Sequence, residues 1–414
     1  MKTLLNSELH IFHGLSGAAG QPFVNSRALR EFGCQSDCVT YTNSGFNYSV
    51  DYQLPQKTDK FNTSVDFLRR NHNDYNVYHF YAKSFFNFNY GVGFPVGQDL
   101  MLLRAAGKAI IFNYRGSEIR LASDFKKLSP FNYVDENPGK IFSLLRENDC
   151  KTYMNFVNSI AHAVLVPDPE LQSYVPQAII VPRSIDLISW PYIGQVSKDD
   201  PLVVHAPSNE AIKGTAYVLK AIEELKSEGL KFRFELVKNV SNEIARERYK
   251  AADIVVDQLR IGWYGVLAAE CMSLGKTVIT YIRDDLVHHL PEPHPFIIAN
   301  PLTFKDKLRE AILNSQVRCE FGCNARAYVE KTHDATIVAK QLLEIYKNAL
   351  LNPKPMDMNA ALSFISNQRQ LLRLNIKNAY NRLSRLTQWY ISFARQVGYI
   401  KATRQALERF LNKA

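Results

Sequence analysis

The residues with the clearest chemical potential fall in two segments of the second half of the chain. The first reads His205-Ala-Pro-Ser208-Asn209-Glu-Ala-Ile-Lys213-Gly214-Thr215 and follows an apolar run, Leu202–Ala206, that reads as a strand. A strand leading through a short loop into a helix presents free backbone N–H groups and the positive end of the helix dipole. Lys213 adds a point charge and Gly214 permits close approach, which suits a diphosphate; an ordinary surface loop with a solvated lysine is the plainer alternative. The second segment runs Asp253-Ile-Val-Val-Asp257-Gln258 and then Gly262-Trp263-Tyr264-Gly265-Val266-Leu-Ala-Ala-Glu270-Cys-Met272-Ser-Leu-Gly275. Helical periodicity places Glu270 toward the core, between Leu267, Ala268 and Leu274. A carboxylate there requires a partner or a ligand. Ribose hydroxyls would satisfy it, as would nearby backbone N–H groups.

Together these segments resemble the donor-binding domain of the retaining GT-B glycosyltransferases of family 4 (glycosyl transferases group 1). Gly262-Trp263-Tyr264-Gly265, Glu270-Cys271-Met272 and Gly275-Lys276-Thr277-Val278 stand where that family has Glu-Gly-Phe-Gly, Glu-Ala-Met and Gly-x-Pro-Val. The resemblance implies that Lys213 and Gly214 hold a donor diphosphate with Ser208 and Asn209. It also implies that Tyr264, Gly265 and Val266 border the donor and that Glu270 binds ribose. The first Glu of the family's pair falls at Gly262, and the Pro before the final Val is Thr277.

In the first half, Gly14-Leu-Ser-Gly17-Ala-Ala-Gly20 stands where the family's glycine-rich loop passes beneath the donor, which makes Gly17 a donor-side expectation. Its glycines are not spaced as a dinucleotide fingerprint. Tyr114-Arg115-Gly116-Ser117-Glu118-Ile119-Arg120 is similar to a family segment His-Gly-Ser-Asp-Ile-Arg, with Arg115 in place of His. A guanidinium cannot act as a base but can stabilise a leaving phosphate or bind an acidic acceptor. Lys213 and Arg115 are therefore the catalytic expectations, and His79, Arg115 and Glu118 the acceptor-side ones. Glu118 and Arg120 could equally form a local ion pair.

The elements that must position these residues alternate between apolar strands and helices along residues 1–350. Strands are expected at 9–13, 38–41, 77–81, 109–113, 163–166, 178–181, 202–206, 232–237, 254–258 and 277–282, with helices between most of them, including one long helix over 211–228. Such alternation predicts parallel sheets covered on both faces. The expected architecture is α/β, GT-B: an acceptor-side Rossmann-like domain (1–185), a linker (186–201), a nucleotide-sugar-binding Rossmann-like domain (202–352), a cleft between them and a C-terminal helical extension (353–414).

Composition supports this outline. The 414 residues are 46% hydrophobic and 22% charged, with no apolar run of membrane-spanning length. The N-terminus turns polar too early for a secretory signal, so the expectation is a cytoplasmic protein, peripheral on the membrane at most. Six cysteines do not make a disulfide scaffold. The spacings Cys34/Cys38 and Cys319/Cys323 would make zinc only if the fold united them, and the expectation is no metal and no tightly bound cofactor. From 355 onward ten Lys/Arg face only Asp357 and Glu408, so this tail carries +8 of the total +10. Apolar residues at Leu372, Ile376, Ala379, Leu383, Leu386, Tyr390, Phe393, Val397 and Ile400 follow a heptad period. That stripe suits docking on the protein itself, an anionic membrane surface or a coiled coil; no nucleic-acid module accompanies it.

The function expected on the resemblance is transfer of a hexose from a UDP- or GDP-sugar to a saccharide or lipid-linked acceptor. Surface polysaccharide, lipopolysaccharide or glycolipid assembly is the expected setting, with retention. A phosphorylase, an epimerase or a non-catalytic scaffold on the same fold are the alternatives.

Overall fold

The computed structural model describes residues 4–41, 48–55, 60–86, 96–134, 144–196 and 199–367. The first domain contains β1 (His10–Leu15), α1 (Gln21–Glu31), β2 (Gln35–Thr40), β3 (Tyr52–Gln53), α2 (Lys60–Asn71), β4 (Val77–Tyr81), α3 (Gln98–Ala105) and β5 (Ala109–Asn113). It continues with α4 (Ala122–Leu128), α5 (Leu144–Ile160), β6 (Ala163–Val166), α6 (Pro169–Gln172) and β7 (Ile179–Ile180). The seven strands form one parallel sheet in the order β3-β2-β1-β4-β5-β6-β7. Alternate residues of its strands go to opposite faces. Ile11, Val77, Ile111 and Leu165 join one core cluster, and Phe12, Tyr78, Phe80 and Phe112 another. Burial on both faces explains why these strands read as continuous apolar runs.

The second domain comprises β8 (Leu202–His205), α7 (Glu210–Lys213), α8 (Thr215–Ser227), β9 (Arg233–Leu236), α9 (Asn242–Ala251), β10 (Ile254–Val256) and α10 (Val266–Ser273). β11 (Thr277–Thr280), β12 (Ile297–Ile298), α11 (Phe304–Leu313) and α12 (Ser315–Thr332) follow. Its sheet is parallel, in the order β12-β11-β10-β8-β9. The long helix expected over 211–228 is two helices, because Gly214 adopts φ +77 between α7 and α8. A left-handed residue cannot continue a right-handed helix, and glycine takes that conformation at the least cost.

The chain then returns to the first domain. α13 (Ala335–Leu351) buries Val338, Leu342 and Tyr346 in the cluster that holds Ile11 and Val77. A further helix, α14 (358–367), buries Ala361 and Phe364 on the opposite face, with the Phe364 ring stacked 4.2 Å from that of Phe156. The heptad stripe from Leu372 onward lies outside the described residues. No described helix is long and apolar enough to cross a membrane. The two cysteine pairs do not unite: Cys34 and Cys38 are buried just before and within β2, and Cys319 and Cys323 are exposed on α12.

A second set of contacts between the domains lies beyond β5. Arg260, which follows β10, donates from Nε to the Phe131 carbonyl (2.9 Å) and from Nη2 to that of Asn132 (2.5 Å). Ser129 Oγ donates to the Arg260 carbonyl, and Ile261 packs with Phe125, Tyr133 and Val134. Arg283, after β11, reaches Ser173 Oγ at 3.0 Å. A strap of polar and apolar contacts therefore joins the two sheets at this edge.

Candidate active site in the interdomain cleft

Ligands of open parallel sheets bind at the carboxyl ends of the strands, and here two such edges face each other. A cleft of about 1210 Å³ lies between the ends of β2, β1 and β4 on one side and of β9 and β8 on the other, with α10 at its floor. The first-domain wall includes Leu15, Ser16, Gly17, Tyr41, Tyr48 and Lys83. The opposite wall includes Ser208, Asn209, Lys213, Lys238, Ser241 and Asn242, and Val266, Leu267 and Glu270 come from α10.

Lys213 ends α7, and the left-handed turn at Gly214 directs the chain from it into α8. A side chain at Gly214 would meet Leu259 and Arg260 at 3.3 Å, so both backbone angle and space favour glycine. Lys213 Nζ donates to Asp257 Oδ1 at 2.7 Å and Gln258 Oε1 at 2.8 Å. Asp257 Oδ2 in turn accepts the Gly265 N–H at 2.6 Å. One buried carboxylate thus binds both the ammonium and the amide that leads into α10, fixing the two donors side by side. Asn209 is occupied as the cap of α7, accepting the Ile212 N–H at 3.1 Å. His205 lies beneath this loop, donating from Nδ1 to the Val256 carbonyl and accepting from Thr215 Oγ1, each at 2.9 Å. Burial lowers its pKa to about 4, so it is neutral.

Glu270 is placed differently from expectation. It lies on the cleft face of α10 with Val266 and Leu267, while Ala268, Ala269, Cys271 and Met272 form the core face. α10 is apolar nearly all round, so its period alone does not identify which face is buried. No hydrogen bond reaches the Glu270 carboxylate among the described residues. Burial raises its pKa to about 8; Arg246 opposes the shift and Asp257 adds to it. Tyr48, across the cleft, is raised to about 12 by burial and by Glu270.

Of the expected site residues, Gly17, Ser208, Asn209, Lys213, Val266 and Glu270 meet at the cleft. Gly214 and Gly265 stand directly behind Lys213. The remainder do not line it. Tyr264 is buried, its hydroxyl 2.8 Å from both His333 Nε2 and the Tyr328 hydroxyl, and belongs to the core beside the linker. His79 is fully buried in β4, its Nδ1 2.7 Å from the Tyr346 hydroxyl. Arg115 lies against the Tyr81 ring at 5.9 Å, and burial together with nearby Arg183 lowers its pKa to about 10. Glu118 does not pair with Arg120: its carboxylate accepts the backbone N–H groups of Arg115 and Gly116. Arg120 instead makes a bidentate pair with the buried Glu170, at 2.8 and 2.6 Å.

Sequence reasoning assigned no role to Asp257, Tyr41, Tyr48 or Lys83. Asp257 had a readable signal, a carboxylate directly after a strand. The other three are single residues in loops without a pattern.

At Gly262, where the family resemblance anticipates a Glu, the backbone has φ +95 and an added Cβ would stand 3.2 Å from Arg283 Cβ and Cγ. The Gly262 carbonyl accepts the Arg283 N–H at 3.0 Å. The loop is therefore shaped for domain contact, and it presents no side chain to the cleft at this position.

No curated protein and no protein-family model matches the chain. Solved structures do. Sucrose-phosphate synthase from Thermosynechococcus elongatus superposes with a TM-score of 0.57 at 15% identity, over 83% of this chain and 99% of that one. The catalytic domain of starch synthase IV from Arabidopsis thaliana, bound to ADP and acarbose, gives 0.56 at 12% identity over 83% and 100%. HepE from Anabaena in complex with UDP-glucose gives 0.51 at 12% identity over 81% and 98%. The chain has the GT-B fold. In GT-B terms the cleft is the space between two Rossmann-like domains, and the Lys213–Glu270 wall belongs to the C-terminal one.

Proposed function

We propose that the protein is a nucleotide-sugar-dependent hexosyltransferase. The observation that carries this reading is the pairing of Lys213, at the mouth of α10, with Glu270 one turn into the same helix, both facing one interdomain cleft. The donor diphosphate rests against Lys213 Nζ and the amides opening α10, where a cation and a helix dipole act together. The ribose hydroxyls donate to Glu270. The complexes of the similar folds with UDP-glucose and with ADP support a nucleotide in this place.

In the reaction, the bond between the anomeric carbon and the diphosphate oxygen breaks and its electron pair leaves with the diphosphate. The acceptor oxygen bonds to the anomeric carbon, and its proton passes to the departing phosphate. Lys213 stabilises charge that grows on the leaving group, an electrostatic effect suited to a preorganised site. Among the described residues the only carboxylates lining the cleft are Glu210 and Glu270, and both belong to the donor wall. Transfer with retention, a UDP- or GDP-sugar donor and a saccharide or lipid-linked acceptor in surface glycan assembly complete the proposal. The basic segment after α14 is assigned to an anionic membrane surface; flotation with anionic vesicles, comparing the full chain with one ending at 367, checks this.

Thermal unfolding and calorimetry with UDP-glucose and GDP-mannose test the site. A ligand that binds only the folded state raises its stability by mass action. Lys213→Ala and Glu270→Ala are expected to weaken that binding while leaving the unliganded protein folded. If both variants bind the nucleotide sugars as tightly as the parent, the assigned site is wrong.

A further inference from the structure

The first-domain wall of the cleft has a property that the donor site does not explain. Its strands β2, β1 and β4 are neighbours in the sheet, and their carboxyl ends present Tyr41, Leu15–Gly17 and Lys83 in that order. Lys83 is the one charged side chain that this domain contributes to the cleft among the described residues. The other two lysines of the cleft each have a carboxylate partner within the protein: Lys213 pairs with Asp257 at 2.7 Å, and Lys238 with Glu210 at 2.5 Å. Lys83 makes no hydrogen bond or ion pair with any described residue.

The backbone that presents Lys83 is also unusual. Ala82 has φ +61, a conformation non-glycine residues rarely take, and its N–H donates to the Asn113 carbonyl at 2.9 Å. This bond ties the end of β4 to β5, holding the turn from which Lys83 projects. Residues kept in such conformations concentrate at functional sites.

We propose that Lys83 is the specificity-determining residue of the acceptor subsite and selects an acceptor that carries a phosphate or carboxylate. The proposal rests on the glycosyltransferase reading above. Neutral sugar hydroxyls do not require a full positive charge opposite them, whereas an oxyanion forms a short, charge-assisted hydrogen bond with an ammonium. Two anions could meet Lys83: the donor diphosphate and an anionic acceptor. The diphosphate already has Lys213 and the α10 amides on the opposite wall, so Lys83 is assigned to the acceptor.

The test uses the full chain, its Lys83→Met variant, which keeps length and loses charge, and Lys83→Arg. Calorimetry gives the affinity for UDP, then the affinities of the UDP-saturated proteins for glucose 6-phosphate and for glucose. The parent is expected to prefer glucose 6-phosphate by about tenfold or more, the range of a charge-assisted contact. Lys83→Met should bring the two sugars within about twofold while UDP affinity stays within about twofold, and Lys83→Arg should retain the preference. A parent without preference, or a preference that survives in Lys83→Met, overturns the proposal. So does a Lys83→Met variant that loses UDP affinity and keeps the sugar preference, which would place Lys83 on the donor. If UDP fails to bind the parent, the donor site itself falls; if Lys213→Ala abolishes UDP binding and Lys83→Met changes nothing, only the acceptor assignment does.

Discussion

If Glu270 binds the nucleotide as proposed, its raised pKa makes that binding depend on pH in a defined direction. In the free protein, burial holds this carboxyl protonated up to about pH 8. Ribose hydroxyls that donate to it favour the ionised form, so its pKa falls in the complex. Below pH 8, binding must then expel a proton. Affinity should rise with pH by up to about tenfold per unit until the free carboxyl is itself ionised, and level off above about pH 8. Between pH 8 and pH 6 the loss is at most about 100-fold, reached only if the complex titrates below 6. His205, held at about 4, is neutral throughout this window. The assay is titration calorimetry with UDP-glucose, whose phosphates do not titrate near neutrality, at pH 6, 7 and 8. Repeating it in buffers of different ionisation enthalpy counts the released proton. Glu270→Gln should be flat across the same range. A parent that is equally flat, or a Gln variant with the parent's slope, would refute the assignment of the carboxyl to the nucleotide.

Gly262→Ala is expected to destabilise the protein by about 1–2 kcal/mol, since its backbone is left-handed and Arg283 crowds the new methyl; chemical denaturation showing a change under about 0.5 kcal/mol would contradict the loop geometry. Arg260→Ala removes the guanidinium that bonds the Phe131 and Asn132 carbonyls. It should cost about 2–4 kcal/mol and enlarge the radius of gyration measured by X-ray scattering. Unchanged scattering together with unchanged stability would show that this strap does not hold the domains.

The two β-α series were legible because parallel strands buried on both faces are apolar throughout, and β4, β5 and β6 fall on the expected residues. Local signals fared less well where a contact distant in sequence decides. α12 has no clean period, since Gly322 packs onto the Gly275 backbone so closely that a Cβ would stand 2.3 Å from its carbonyl oxygen. Tyr264 and Arg115 occupy motif positions but do not line the cleft: the Tyr264 hydroxyl meets His333, and Arg115 lies against the Tyr81 ring, both partners from elsewhere in the chain. Lys213 and Glu270 could be read because a strand–loop–helix passage and a solitary carboxylate are sequence patterns. Lys83 could not, because its significance comes from having no partner among the described residues, a property of three-dimensional surroundings.

Gly262 therefore marks more than one missing carboxylate. Arg260 and Ile261 turn to the first domain, Gly262 bends between them and Arg283, and the Trp263 carbonyl accepts the Gln258 amide. Four consecutive residues are committed to holding the domains together and to shaping the loop, so a Glu restored at 262 would add strain without gaining a path to the cleft. If the protein transfers a sugar as proposed, selection of that sugar and of its acceptor must then come from side chains that do reach the cleft. Among the described residues the first-domain wall offers Leu15, Ser16, Tyr41, Tyr48 and Lys83, and of these only Lys83 carries charge. On the proposed function, the strap and a lysine without a partner among the described residues are two consequences of one arrangement: with the loop at 260–263 spent on domain contact, the opposite wall is left to discriminate.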